Sequence, residues 1–256
     1  MTGLHPVKSV KSQITCSSCG LQRICFPSGM TSDEVQRLDT IITAQPVFKK
    51  GETIFTAGEP ASAIYALKSG IVKLYRTDSQ GNEIIHTFYL PGDIIGLDAL
   101  DQPVYTFDAQ ALDTCNVCRL EQCDLETLSM QMPVLNRQVL QMMRRELELE
   151  RAHFENMTHR VAQQRVAAFI WSMAQRYRER GYDWECFRLP ILHRDTATYL
   201  GLTPETVSRI LKKFQTEGVF TWRRKYVEIH DVARLQQAAG VSLEENQCPR
   251  CCAATG

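Results

Sequence analysis

Arg194-Asp195-Thr196-Ala197-Thr198-Tyr199-Leu200-Gly201-Leu202-Thr203-Pro204-Glu205-Thr206-Val207-Ser208-Arg209-Ile210-Leu211-Lys212-Lys213-Phe214 holds two helices and the turn between them. The first helix stops at Gly201, a residue type suited to the left-handed position after a helix end. Thr203 is placed to cap a second helix whose first residue is Pro204. Leucine, valine, isoleucine and phenylalanine form one inner face, so the pattern reads as a helix-turn-helix. Spacings of three and four bring Glu205, Ser208 and Arg209 together on the outer side of the second helix. Arginine reads guanine O6/N7, glutamate accepts from cytosine N4, and serine contacts base or phosphate.

The surroundings carry charge of the right sign. Arg194 to Tyr226 holds seven lysines and arginines against Asp195, Glu205 and Glu217. Thr206, Lys212 and Lys213 are further candidates for DNA contact. Phe220 to Ile229 reads as a β-hairpin wing with Arg223-Arg224-Lys225 at its tip. Over the whole 256 residues the formal net charge is zero, with 29 basic and 29 acidic residues. Binding to double-stranded DNA is therefore a local property of this region.

Upstream, Leu140, Met143, Leu147, Phe154, Met157 and Val161 recur at steps of three and four, with Glu150 in the one skipped place. Such a stripe predicts a long helix with a coiled-coil seam and a parallel homodimer, the plainer alternative being a helix lying on its own domain with the stripe as core. Two copies of Glu150 would then face each other and oppose pairing. From Val47 to about Cys118 the pattern changes to short β-prone runs between glycines, which indicates an antiparallel sandwich or barrel. Asp78-Ser79-Gln80-Gly81-Asn82 should be an exposed hairpin tip.

Cys16, Cys19 and Cys25 lie at C-x2-C-x5-C spacing ahead of this β region. Thiolates this close together suit zinc or an iron–sulfur cluster, and three ligands leave either site one short. The plainer alternative is a set of unrelated reduced thiols. No secretory leader or apolar run of membrane-spanning length is evident, so a cytoplasmic protein with ten reduced cysteines is expected. Cys123 and Cys186 are expected to be small core residues. Cys248, Cys251 and Cys252 fall in a polar tail expected to be disordered. No glycine-rich phosphate loop, catalytic triad or acid/base pair stands out, which argues against an enzyme.

The order of these parts resembles the cyclic-AMP-receptor/FNR family of bacterial transcription regulators over roughly residues 16 to 240. The stretch Leu200 to Arg209 is similar to the FNR form of the recognition helix. The resemblance implies an α+β fold with a cysteine loop over residues 1–30 and a β-roll sensor over 31–132, a jelly roll of the cyclic-nucleotide-binding kind. A dimerisation helix over 133–162, a winged helix-turn-helix over 163–240 and a tail over 241–256 complete it. Cys16, Cys19 and Cys25 match the N-terminal ligands of a 4Fe–4S cluster in the oxygen-sensing branch. Of the two nearby candidates for the fourth, Cys115 and Cys118, the family alignment selects Cys118.

The family also implies TTGAT-type palindromic sites bound without oxygen, base contacts from Glu205, Ser208 and Arg209, and an RNA polymerase contact at the tip from Asp78 to Glu83. Its cyclic-nucleotide-binding members hold the phosphate with an Arg-Ser pair. Here the matching stretch is Phe107-Asp108-Ala109-Gln110, whose carboxylate removes that attraction, so no cyclic nucleotide is expected. Three alternatives remain beside this reading: a haem or nitric oxide sensor of the same family, a zinc-stabilised binding protein, and an enzyme.

Overall fold

The computed structural model describes residues 15–241; the expected tail with Cys248, Cys251 and Cys252 lies outside the described residues. In chain order the elements are α1 (Ser32–Asp39), β1 (Ile42–Ala44), β2 (Thr53–Phe55), β3 (Ala63–Ser69), β4 (Val72–Thr77), β5 (Glu83–Tyr89) and β6 (Ile94–Ile95). They continue with β7 (Asp108–Ala111), β8 (Asn116–Glu121), α2 (Gln122–Gln131), α3 (Pro133–His159), α4 (Ala162–Glu179) and β9 (Cys186–Arg188). The last are α5 (His193–Tyr199), α6 (Pro204–Thr216), β10 (Phe220–Arg223), β11 (Tyr226–Ile229) and α7 (Val232–Ala239). Two compact units result: the chain up to Val72 with Tyr89–Met143, and Lys73–Phe88 with the chain from Arg144 on.

In the first unit an antiparallel sheet runs in the order β1-β8-β3-β6. Register pairs Ala44 and Ala66 with Cys118 on opposite sides of β8. β2 pairs separately with β7. One face of β8 and β3 meets α1, α2 and the start of α3 around Phe26, Leu38, Ile64, Leu120, Leu125 and Leu135. Thr31 makes a capping box with Glu34, which fixes where α1 begins. α1 then turns Val35 and Leu38 inward.

In the second unit β4 and β5 form a hairpin whose turn is tied by Asp78, which accepts from the backbone N–H groups of Gln80 and Asn82. Lys73 is buried and ion-paired to Glu83. The helix pair follows local chemistry: the Thr203 hydroxyl accepts from Thr206 N at 3.2 Å, and Pro204 takes the first helical turn. Val207, Ile210, Leu211 and Phe214 are the buried face of α6. Gly201 sits at φ +59, a left-handed position that favours glycine, and a Cβ there would displace the Met157 methyl, which lies 2.6 Å away. The wing is an antiparallel sheet ordered β10-β11-β9.

Three sequence expectations differ from the structure. Val161 is not on the long helix: α3 ends at His159, and Val161 caps α4 in an extended conformation (φ −73, ψ 160). Cys123 and Cys186 are exposed. Cys123 faces solvent in the first turn of α2, while Cys186 occupies an outward position of β9 beside the buried Phe187.

Candidate metal centre and nucleic-acid interface

Cys16, Cys19 and Cys25 stand on a short loop held by its own turns. Cys16–Ser18 is a single 3-10 turn, and Cys25 N donates to Leu21 O at 3.0 Å. Leu21 and Phe26 are buried and fasten the loop to the core. Ile24 lies over Gly92, whose left-handed φ of +93 favours glycine and whose Cβ position would lie 2.5 Å from Ile24 Cδ1. Cys118 reaches the same place from β8. Together Cys16, Cys19, Cys25 and Cys118 line one pocket. Leu21, Phe26, Ile42, Ala66 and Leu67 supply its apolar wall.

Cys115 does not share this pocket. Its side chain is fully buried, and its thiol donates to Ile71 O at 3.3 Å. Among the described residues no three His, Cys, Asp or Glu side chains converge closely enough to hold a single metal ion.

Burial is the first cause of raised thiol pKa values here. It pushes Cys16 far up, with Asp39 and then Cys25 adding to it. Cys25 rises to about 12 by burial, with Cys118, Cys19 and Asp93 adding smaller increments. Cys118 is also raised, first by burial and then by Cys19. Thiols that oppose one another's ionisation in a dry pocket stay protonated until a cation compensates their charge. Four sulfur donors in such a site suit a soft metal centre, zinc or iron–sulfur, which holds them as thiolates.

The second surface lies on α6. Glu205, Ser208, Arg209, Lys212 and Lys213 are exposed, while Thr206 is half-buried. Lys213 already donates to Gln163 Oε1 at 2.8 Å, and the Thr206 hydroxyl pairs with Thr203 at 3.1 Å. Those two residues hold α6 in place as well as facing outward. Arg223 and Arg224 are exposed at the tip of β10 and β11, with Arg224 at φ +55.

The expected seam is split in character. Leu140, Met143, Leu147 and Phe154 are large apolar side chains left exposed, Leu140 by 60% and Phe154 by 66%. Glu150 is exposed in the same stripe. Met157 is half-buried against Gly201. Arg165 is a residue that periodicity did not single out. Its guanidinium donates to Met157 O, Arg160 O and Leu200 O at 2.7, 2.9 and 3.2 Å, linking the end of α3 to the end of α5.

A β-domain bearing a cysteine pocket, followed by a long helix and a winged helix-turn-helix, defines a DNA-binding regulator. Residues 45–132 match the cyclic nucleotide-binding domain family, and residues 164–238 match the Crp-like helix-turn-helix domain family. The fumarate and nitrate reduction regulatory protein of Escherichia coli K12 is 36% identical over 93% of this chain and 95% of its own length. The Vibrio cholerae protein of the same name is 35% identical over 93% and 95%. The structure of FixK2 from Bradyrhizobium japonicum matches with a TM-score of 0.71 and 29% identity, covering 78% of this chain and 99% of that one. The chain belongs to the FNR branch of the cyclic-AMP-receptor/FNR family of transcription regulators, a family of regulators and not of enzymes.

Proposed function

We propose that this regulator senses oxygen through a 4Fe–4S cluster held by Cys16, Cys19, Cys25 and Cys118, and that its clustered form is a DNA-binding dimer. The observation that carries the reading is the convergence of four cysteines, three from the loop and one from β8, on one pocket. The names of the E. coli and V. cholerae relatives agree with a role in anaerobic metabolism. When bound, such a cluster supplies an oxygen-labile centre, stable only while oxygen is low. A group presenting several irons takes one cysteine sulfur at each corner, and the four cysteines of this pocket supply that number.

The chain's own residues connect this pocket to pairing. Cys16, Cys25 and Cys118 pack against the same core as Leu135, Val139 and Met142 from the start of α3. With the loop seated, that core is complete and the first turns of α3 are firmly backed. Leu140, Met143, Leu147 and Phe154 then meet their copies, against the repulsion of Glu150. An equilibrium driven from almost wholly unpaired to almost wholly paired needs about 5.5 kcal/mol of preference. Two α6 helices would enter successive major grooves of a TTGAT-type palindrome. Glu205, Ser208 and Arg209 would read bases, while Lys212, Lys213 and Thr206 would contact the backbone.

Asp108 accepts from Ala57 N at 3.2 Å, and Gln110 donates to Gly51 O at 3.1 Å. Both side chains are thus engaged where a cyclic phosphate would be held, which favours no cyclic nucleotide as effector. The tip from Asp78 to Glu83 is the proposed contact for RNA polymerase. Anaerobic isolation tests the reading: coloured protein with about four iron and four acid-labile sulfide per chain, dimeric until air is admitted. Colourless protein that takes up one zinc and binds DNA equally with and without oxygen would overturn it.

A further inference from the structure

The Cys16–Cys25 loop is tied down by two side chains that are not themselves sulfur donors. Asp39 accepts a hydrogen bond from the backbone N–H of Cys16 at 2.6 Å. Gln22 donates to the carbonyls of Cys16 and Ser17 at 2.6 and 2.5 Å. The 3-10 turn that presents Cys16 is thus held at its amide by one side chain and at its carbonyls by another. Asp39 closes α1, next to Leu38, which is fully buried in the core beside Cys16 and Cys25. Its carboxylate therefore sits on a fixed support. Gln22 lies inside the loop and lines the sulfur pocket.

From this clamp we infer that Asp39 and Gln22 are positioning residues that set the ligand loop in its cofactor-ready shape before any metal arrives. The inference rests on the proposed cluster for its purpose but not for its geometry. Three donors crowded into ten residues would otherwise sample many arrangements, and ordering them would cost conformational entropy when the cofactor enters. Holding the turn in advance removes part of that cost, as preorganised sites do generally. Asp39 also carries a negative charge beside sulfurs that become thiolates. Its hydrogen bond and its charge thus act in opposite directions on an anionic centre, and a neutral acceptor at this position separates them.

Metal-free protein with its thiols reduced is treated with iodoacetamide, and alkylation of each cysteine is followed by mass spectrometry. Asp39→Leu and Gln22→Leu should each expose Cys16 roughly tenfold faster, the change in open population expected when such a hydrogen bond is lost. Alkylation of buried Cys115 should not change, which shows that the domain remains folded. Asp39→Asn keeps an acceptor but removes the charge that raises the Cys16 thiol, so its rate measures that electrostatic part alone, and Asp39→Leu should exceed it. Under anaerobic reconstitution the two leucine variants should take up iron and sulfide more slowly than wild type, with Asp39→Asn close to it. Wild-type alkylation rates in both leucine variants would overturn the inference. Failure of the wild-type protein to take up iron and sulfide would overturn the cluster reading alone, because the alkylation comparison needs no metal.

Discussion

Three positions separate Cys115 from Cys118, and in extended chain that interval places two side chains on opposite faces. Cys118, on β8, shares its face with Leu120 and reaches the helical side of the sheet, where the cysteine loop sits. Cys115, just before β8, points inward with Val117 and is spent on Ile71. Cys118→Ala should lose most of the anaerobically bound iron and sulfide, whereas Cys115→Ala should retain it at some cost in stability. Measuring both contents per chain decides this. Treated as loop cysteines the two were inseparable in the sequence, because the choice depends on strand parity, and parity requires the start of β8. The outward turn of Cys123 and Cys186 was hidden for the same reason: burial of one small side chain depends on the phase of its element. A second residue-scale effect concerns His153, which stacks on Tyr199 at 4.0 Å. Burial, with a smaller contribution from His86, lowers its pKa below the ordinary histidine value. The unfolded chain therefore binds a proton here that the folded chain resists. Stability contributed by neutral His153 is full above pH of about 6.5 and is lost as pH falls from there. His86 and His193 are shifted the same way by burial. Melting temperature should fall from about pH 7.5 to about pH 5.5 at constant salt, and His153→Phe should flatten that fall.

At the scale of elements, the helix-turn-helix was the most legible part. Gly201, Thr203 and Pro204 are punctuation whose chemistry acts within a few residues, and each works locally as its type suggests. The long helix was legible in its middle and not at its end. Apolar spacing runs past His159 because Val161 continues the count, yet the chain breaks there and Val161 begins α4. Periodicity records side-chain character but does not register a change of axis. Met157 shows the same limit, since an apolar residue in seam register also serves the packing of Gly201. Glu150 is the element-scale test of the pairing account. Glu150→Ala should form dimers in air and bind operator DNA without the cluster, as judged by sedimentation and gel shift. A variant that stays monomeric in air would remove charge repulsion from the account.

Taken as one molecule, the chain carries no net charge while its DNA surface is basic. Its attraction to DNA should therefore come from a few contacts and respond to salt accordingly. Lys212→Ala should lower the slope of log affinity against log salt by about one per protomer and weaken all sequences alike. Arg209→Ala should cost about 1–3 kcal/mol at one base pair of each half-site and relax the choice there. Binding isotherms on matched and altered operators at several salt concentrations distinguish the two. Such global behaviour was readable early because charge bias within a segment needs no three-dimensional information. The pocket was not, because its fourth wall comes from a strand distant in the sequence.

That separation has a bearing on biosynthesis. The loop thiols leave the ribosome roughly ninety residues ahead of Cys118, an interval on the order of 5–20 s at ordinary translation rates. Under the proposed cluster reading, the nascent chain displays an incomplete chelate throughout that interval, and β8 must be made and laid beside β1 and β3 before the fourth corner exists. Iron captured early would be held by three thiols and readily surrendered. On that reading, cofactor loading proofreads the finished domain, because a misfolded roll yields a polypeptide that lacks its fourth sulfur corner.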